Sequence, residues 1–173
     1  IAIGLMLGIN GSLFLDPVTK YGGDEIKQHV FRRFLQEKAL GGLMITEPDF
    51  GTAALAMQTQ YLEDSDNCHI KGEKHWGGLT GLADFWLMTA RKQKPNGSLA
   101  RDVDLFICEM EQPGQRIIVD TYYHKLGLFL IPYGLNKVDI TVPLSARLVP
   151  VTSGLKLMMD LLHRSRLRLS GIG

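Results

Sequence analysis

The chain has 173 residues, 45% hydrophobic and 21% charged, so it is long and apolar enough to bury a core and is not an intrinsically disordered protein. Its 19 basic and 18 acidic residues give a formal net charge of +1 without a block of one sign. This balance excludes a protein that binds nucleic acid mainly by electrostatic attraction. The longest apolar runs, such as residues 1–9, are too short for a membrane span, and no basic segment precedes them. We therefore expect a soluble, intracellular protein without a membrane span.

The two cysteines and the chain ends add further expectations. Cys68 and Cys108 lie far apart and have no metal-ligand spacing with the five histidines, so we predict reduced core thiols and no metal site. The chain lacks a starting Met, and its last residues, 171–173, fall inside a helix-like pattern. We expect a piece of a longer protein.

Residues 24–40 have the pattern of an amphipathic helix. Apolar side chains recur at helical spacing, acidic residues occupy the first turn, and Lys38 lies near the end. We predict that the helix ends at Gly41-Gly42. Its apolar side chains, including Phe31 and Phe34, are expected to pack in the core rather than line a ligand site.

From Gly42 the pattern changes to short runs rich in β-branched and aromatic residues. Turn clusters separate them, at residues 64–67, 94–97 and 112–114. The predicted strands are residues 43–46, 57–62, 69–76, 85–91, 105–110, 117–123 and 135–142. Ser153 then caps a predicted helix over residues 155–169. Consecutive strands without intervening helices predict an α+β fold, in which a central antiparallel β-barrel or sandwich domain is flanked by partial helical segments.

The segment from Gly42 to Thr52 joins a short apolar strand to a polar end. Thr46 offers a hydroxyl and an amide, Pro48 stops ladder pairing, and Gly51-Thr52 permits close backbone approach to a ligand. A strand and turn without a ligand is the alternative interpretation, and Glu47 would then cap the turn.

Several segments resemble the acyl-CoA dehydrogenase family, in its order and approximate spacing. They are Tyr21 to Gln28, Thr46-Glu47-Pro48, Ile70 to Trp76, Gly81 to Asp84, Lys125-Leu126-Gly127 and Val142-Pro143. The resemblance implies that residues 1–41 end an N-terminal helical domain, residues 42–150 form the middle β-domain, and residues 151–173 begin a truncated C-terminal helical domain.

The resemblance also implies FAD as the cofactor. Leu43, Ile45 and Thr46 would lie along the flavin ring and its edge. Thr52 would lie near the ribityl or pyrophosphate region and would also contact the substrate. Strand ends suit such a ligand, because they combine an apolar slot with hydrogen-bond donors.

Trp76 would cover the flavin ring from the neighbouring strand, with a core or barrel-mouth aromatic as the alternative. The family usually follows this tryptophan with an apolar residue, a threonine and an asparagine, where this chain has Gly77, Gly78 and Leu79. Gly78 therefore lacks the hydroxyl that would bond the reactive flavin nitrogen. Only its main-chain N–H could replace that contact.

We predict no catalytic residue in the chain. In the family the base is a glutamate of the late helical domain or, in a minority, of the helix after the β-domain, where this chain has Ser165. His163 is the other candidate. Three arginines, at positions 164, 166 and 168, follow it on the same predicted helix and no partner is identifiable, so we expect a solvated or partner-facing side chain.

The resemblance implies that the intact protein oxidises an acyl-CoA to the 2,3-enoyl-CoA in fatty acid metabolism. Electron-transfer flavoprotein would accept the electrons, and the protein would be a homodimer or homotetramer in the cytoplasm, or in the mitochondrial matrix if eukaryotic. Two alternatives stay open: an acyl-CoA oxidase or flavin monooxygenase on the same scaffold, and a non-catalytic acyl-CoA-binding or interaction homologue.

Overall fold

The computed structural model describes residues 1–110, 116–149 and 152–171. The helices are α1 (Ala2–Gly8), α2 (Asp16–Tyr21), α3 (Asp24–Glu37) and α4 (Gly154–Leu169), with a π-helical stretch, Ile9–Leu15, between α1 and α2. The strands are β1 (Gly41–Met44), β2 (Gln60–Glu63), β3 (Asn67–His75), β4 (Phe85–Lys92), β5 (Asp104–Glu109), β6 (Arg116–Tyr122) and β7 (Gly134–Pro143). The predicted turn at residues 112–114 and the predicted domain boundary between residues 150 and 151 lie outside the described residues.

The strands form one curled sheet, a half-barrel, in the order β1-β4-β2-β3-β7-β6, and β5 also pairs with β4. This arrangement confirms the predicted α+β class. Most pairings are antiparallel, but β1 and β2 both run parallel to β4. These partners are not consecutive along the chain, so no hairpin constrains their direction. The antiparallel pair of β3 and β7 runs from Asn67 opposite Pro143 to His75 opposite Leu135.

Strand β4 is the centre of the core, because both of its faces are buried. Phe85 and Leu87 pack towards the helices, against residues such as Leu157 of α4. Trp86 and Met88 point into the half-barrel. A strand buried on both faces has a continuous apolar sequence rather than an alternating one, and β4 begins in this way.

The prediction that Gly41-Gly42 ends the α3 helix is wrong. The helix ends at Glu37, and Lys38 adopts a left-handed conformation with φ of 57° that closes its last turn. Gly41 and Gly42 instead begin β1. A Cβ on Gly41 would overlap the Phe14 ring, and the Trp86 ring would block one on Gly42 in the same way, so both positions need glycine for close packing.

Helix α4 begins as predicted. The Ser153 side chain accepts a hydrogen bond of 3.2 Å from the Lys156 amide, and Ser153 is the residue before the first helical turn. The buried face of the helix includes Leu157, Leu161 and Ser165, which lie at helical spacing.

The N-terminal helical stretch Ala2–Tyr21 is longer than the apolar run considered from the sequence. It has 20 residues and a mean hydropathy of 1.3 over its most apolar window, so by length and composition it could cross a membrane. A core helix meets the same criteria. Here Ile9, Phe14 and Val18 are buried against the rest of the described structure.

Both cysteines lie in the core. Cys68 and Cys108 are buried and free, and burial raises the pKa of the Cys68 thiol to about 11. Among the described residues, no group of three or more His, Cys, Asp or Glu side chains is placed to hold a metal ion.

Candidate functional site

A cleft of about 280 Å³ opens where the ends of β1 and β3 meet the N-terminal helices and α4. Five of the six predicted flavin-contact residues line it: Leu43, Ile45, Thr46, Trp76 and Gly78. The remaining lining residues are aliphatic side chains of the helices, together with His75 and Tyr133. A mostly apolar cleft with a few polar groups is the usual form of a site for an organic ligand.

Trp76 lies at the mouth of this cleft in a strained backbone conformation. Its φ is 57°, and its side chain stays 48% exposed. The left-handed region costs an L-residue on the order of 1–2 kcal/mol. A 3.0 Å bond from its amide to the Gly134 carbonyl holds the backbone, while Tyr123 packs on the ring with centroids 4.7 Å apart. Such maintained strain is typical of functional positions. The buried core tryptophan is Trp86.

The turn after Trp76 is held by one hydrogen bond within the turn and one to the segment before β7. The Thr80 hydroxyl donates to the Gly77 carbonyl at 2.7 Å, and the Leu79 amide donates to the Pro132 carbonyl at 2.9 Å. Within the described part of the chain, the amides of Gly77 and Gly78 have no hydrogen-bond acceptor. Of these two residues Gly78 lines the cleft, where a free main-chain donor fits the polar edge of a flavin ring.

A buried ion pair fixes the strand end that carries Thr46. The Lys74 Nζ atom donates to the Ile45 carbonyl at 3.1 Å, to Glu47 Oε1 at 2.9 Å and to Thr89 Oγ1 at 3.1 Å. The side chains of Lys74 and Glu47 are 0% and 4% exposed. Because the Lys74 ammonium holds both sides of the Thr46 position, it sets the rim of the cleft.

Glu47 also holds the chain that follows the turn. Its Oε2 atom accepts from the Gln58 amide at 2.5 Å, and its Oε1 atom accepts from the Thr59 amide at 2.9 Å. Burial alone would raise the pKa of Glu47, but the Lys74 charge and these hydrogen bonds outweigh burial and lower it. The prediction that Glu47 caps its own turn is therefore wrong. Its carboxylate binds amides 11 and 12 residues further along the chain, in a buried network that the sequence interpretation did not include.

The buried lysine makes stability depend on pH. Burial lowers the pKa of Lys74 from 10.5 to about 8, against the opposing effect of Glu47. Between these values the unfolded chain binds more protons than the folded chain, so stability should rise as pH rises through this window. We expect the free energy of unfolding to increase by about 2 kcal/mol between about pH 7.5 and 9.5 from this group.

Urea unfolding at both pH values tests this dependence. The matched control is the Glu47→Gln/Lys74→Met double variant, which carries no ionisable group at the pair. Wild type should gain stability relative to the double variant at the higher pH. An unchanged difference between the two proteins would show that Lys74 keeps an ordinary pKa.

The remaining predicted positions lie outside the cleft. Thr52 is exposed in the loop after the turn at residues 47–50, so its contacts with cofactor and substrate stay a prediction. Ser165 is buried on α4, where its hydroxyl donates to the Leu162 carbonyl at 2.9 Å. His163 is exposed. Among the described residues that line the cleft, none is a carboxylate.

His75 and Tyr133 line the cleft but were not identified from the sequence. The His75 Nδ1 atom lies 2.6 Å from the Tyr123 hydroxyl, and burial lowers the pKa of His75. Tyr133 comes from the segment before β7, which the sequence interpretation treated only as a connection. An aromatic residue between Pro132 and Gly134 does not by itself indicate a ligand-binding position in the sequence.

A comparison with protein families decides the identity of this domain. The model for the acyl-CoA dehydrogenase middle domain matches residues 42–135, more than half of the chain. The chain belongs to the acyl-CoA dehydrogenase family. The glutaryl-CoA dehydrogenase of Desulfococcus multivorans is 28% identical over 152 residues, which are 87% of this chain and 38% of that protein.

Solved structures have the same fold as this chain. Glutaryl-CoA dehydrogenase from Mycobacterium smegmatis in complex with FADH2 superposes with a TM-score of 0.79 at 25% identity, over 94% of this chain and 40% of that chain. A chain in the structure of the electron transferring flavoprotein of Acidaminococcus fermentans gives a TM-score of 0.84 at 27% identity, over 96% of this chain and 43% of that chain. Members of the family are FAD-dependent. The chain spans about two fifths of the length of these relatives.

Proposed function

We propose that this chain is the flavin-facing β-domain, with parts of both helical flanks, of an FAD-dependent acyl-CoA dehydrogenase. The observation that carries the proposal is the cleft, which brings Leu43, Ile45, Thr46, Trp76 and Gly78 together from two separate strand ends. These residues were expected to contact the same ligand. Their meeting in one apolar cleft supports that expectation.

The residues of the cleft fit the parts of a flavin ring. Leu43 and Ile45 supply an apolar surface, Thr46 supplies a hydroxyl, and the free amide of Gly78 supplies a donor. When bound, FAD would accept the hydride that leaves the acyl group. The task of this chain is then to hold the ring, orient it and exclude water from one of its faces.

The intact protein would convert an acyl-CoA to the 2,3-enoyl-CoA. Because the described lining residues include no carboxylate, the base that removes the α-proton would come from another part of the protein. Electron-transfer flavoprotein is the proposed electron acceptor, and we propose a homodimer or homotetramer in the cytoplasm or mitochondrial matrix. The β-oxidation of fatty acids is the proposed pathway.

A flavin-dependent acyl-CoA oxidase or monooxygenase is the second candidate, and the absence of a side chain at Gly78 favours it. Without a hydroxyl at this position, the contact to the reactive flavin nitrogen differs from the one expected in dehydrogenases. Anaerobic reduction of the bound flavin by acyl-CoA separates an enzyme from a non-catalytic binding homologue. Peroxide formed in air then separates an oxidase from a dehydrogenase.

The replacement Trp76→Ala tests the flavin site directly. We expect the purified intact protein to carry yellow FAD and the variant to retain FAD on the order of tenfold more weakly, because an aromatic ring over the cleft is lost. Flavin absorbance per protein after gel filtration measures the retention. Phe129→Ala, at an exposed apolar side chain outside the cleft, is the control and should retain FAD normally.

A colourless intact protein whose tryptophan fluorescence does not respond to added FAD would disprove the flavin assignment. Equal FAD retention in Trp76→Ala and wild type would instead remove Trp76 from the site.

A further inference from the structure

Tyr133 is held directly opposite the turn that contains Gly78. On one side of it, the Pro132 carbonyl accepts from the Leu79 amide at 2.9 Å, and on the other, the Gly134 carbonyl accepts from the Trp76 amide at 3.0 Å. Two hydrogen bonds that flank one residue leave little freedom to its backbone. The position of the Tyr133 ring in the cleft is therefore built into the fold.

The Tyr133 ring also lies next to the space that a side chain at position 78 would enter. A Cβ atom on Gly78 would lie 3.4 Å from Tyr133 Cε1, 3.5 Å from Tyr133 Cζ and 3.0 Å from Ile9 Cδ1. The two distances to Tyr133 are ordinary van der Waals contacts, and only the distance to Ile9 is short. A side chain at position 78 would therefore crowd the end of Ile9, and a hydroxyl carried there would lie close to the phenol ring of Tyr133.

The hydroxyl of Tyr133 is free to bind a ligand. Within the described residues it makes no hydrogen bond, although the residue is half-buried, while the ring of His75 is already bonded to Tyr123. Burial raises the pKa of Tyr133, so the phenol stays protonated and can donate at neutral pH. The Nζ atom of Lys125 lies 5.2 Å from the ring centroid and donates to the Ile131 carbonyl.

We propose that Tyr133 is a cofactor-positioning residue whose hydroxyl donates a hydrogen bond to the flavin ring beside Gly78. The phenol replaces the side-chain hydroxyl that this turn lacks, and its ring lies within van der Waals reach of position 78. The assignment rests on the proposed function, because it needs a flavin in the cleft. It goes beyond that function by naming a donor from the segment before β7.

Tyr133→Phe in the intact protein is the first test, because it removes the hydroxyl and keeps the ring. Since a net hydrogen bond contributes about 0.5–1.5 kcal/mol, the dissociation constant for FAD should rise about 2- to 12-fold. The visible absorption band of the bound flavin should shift as well, which a purely structural role would not cause. Unfolding of the flavin-free protein should be unchanged. Tyr122→Phe, an exposed tyrosine outside the cleft, is the matched control.

A second pair of variants tests the exchange of hydroxyl groups. Gly78→Ser should weaken FAD binding, because its Cβ crowds the end of Ile9 and its hydroxyl must share the space beside the Tyr133 ring. Gly78→Ser/Tyr133→Ala should bind FAD more tightly than Tyr133→Ala, because the serine then has room and restores a donor. Fluorescence titration with FAD measures each constant.

The outcomes separate the two proposals. If wild type binds FAD and Tyr133→Phe has the same dissociation constant and the same spectrum, the Tyr133 assignment is wrong and the flavin site stands. A wild type that binds no FAD overturns the proposed function and the assignment with it.

Discussion

Residues 1–173, supplied with excess FAD, should fail to dehydrogenate an acyl-CoA at a rate near that of an intact acyl-CoA dehydrogenase. No carboxylate is found among the described residues that line the cleft, and the Ser165 hydroxyl is bonded to the helix backbone. Glu47, which follows the cleft residue Thr46 in the sequence, is buried against Lys74. A missing general base costs a factor on the order of 10² to 10⁴ in rate. Incomplete positioning of the substrate lowers the rate further.

Anaerobic mixing with a panel of acyl-CoAs measures this rate as bleaching of the flavin absorbance. The intact protein is the positive control, and dithionite confirms that the flavin bound to residues 1–173 remains reducible. Bleaching at the intact rate would place a base within these residues. His75 would then be the first candidate, because its lowered pKa leaves the imidazole neutral and able to accept a proton.

Periodicity was sufficient to predict strands such as β3 and β4, because their sequence patterns follow their burial. In β3, Cys68 and Ile70 point into the half-barrel while His69 and Lys71 face outwards, so the alternation is visible in the sequence. In β4 the unbroken apolar run indicates burial on both faces. These signals are local, and local signals are available from one sequence.

The end of α3 and the parallel pairings depend on contacts that are remote in sequence. Gly41 and Gly42 look like a helix stop, but their role is set by the rings of Phe14 and Trp86, which lie 27 and 44 residues away. Strand direction next to β4 likewise depends on which strands meet there. Neither the end of α3 nor the direction of the strands next to β4 is marked by a pattern in the nearby residues. The prediction of the helix end, which used only nearby residues, was therefore wrong.

The residues that line the cleft could be predicted where family motifs mark them and not elsewhere. Thr46 and Trp76 belong to such motifs, and the structure brings them to one cleft. Tyr133 belongs to none. Lys74, by contrast, could have been found from alternation alone, because it shares the inward face of β3 with Cys68 and Ile70. An inward lysine requires a counter-charge, and Glu47 provides it.

The replacement Glu47→Gln should strongly destabilise the folded protein. It leaves the fully buried Lys74 ammonium without its counter-ion and removes one of the acceptors for the amides of Gln58 and Thr59. Breaking a buried ion pair from one side typically costs about 3–5 kcal/mol. Such a loss is a large part of the stability of an ordinary domain, which is about 5–15 kcal/mol. The loop that carries Thr46 should loosen with it, because Lys74 also holds the Ile45 carbonyl.

Urea unfolding near neutral pH measures the loss of stability in Glu47→Gln, and two further variants serve as comparisons. Glu73→Gln changes an exposed residue next to Lys74 on the same strand. It should change the free energy of unfolding by less than about 0.5 kcal/mol. The Glu47→Gln/Lys74→Met double variant should be more stable than Glu47→Gln alone, because an apolar side chain needs no partner in the core. If Glu47→Gln is as stable as Glu73→Gln, the pair does not hold the rim of the cleft. A double variant less stable than Glu47→Gln would instead show that Lys74 stabilises the fold through the Ile45 carbonyl and Thr89, independently of the carboxylate.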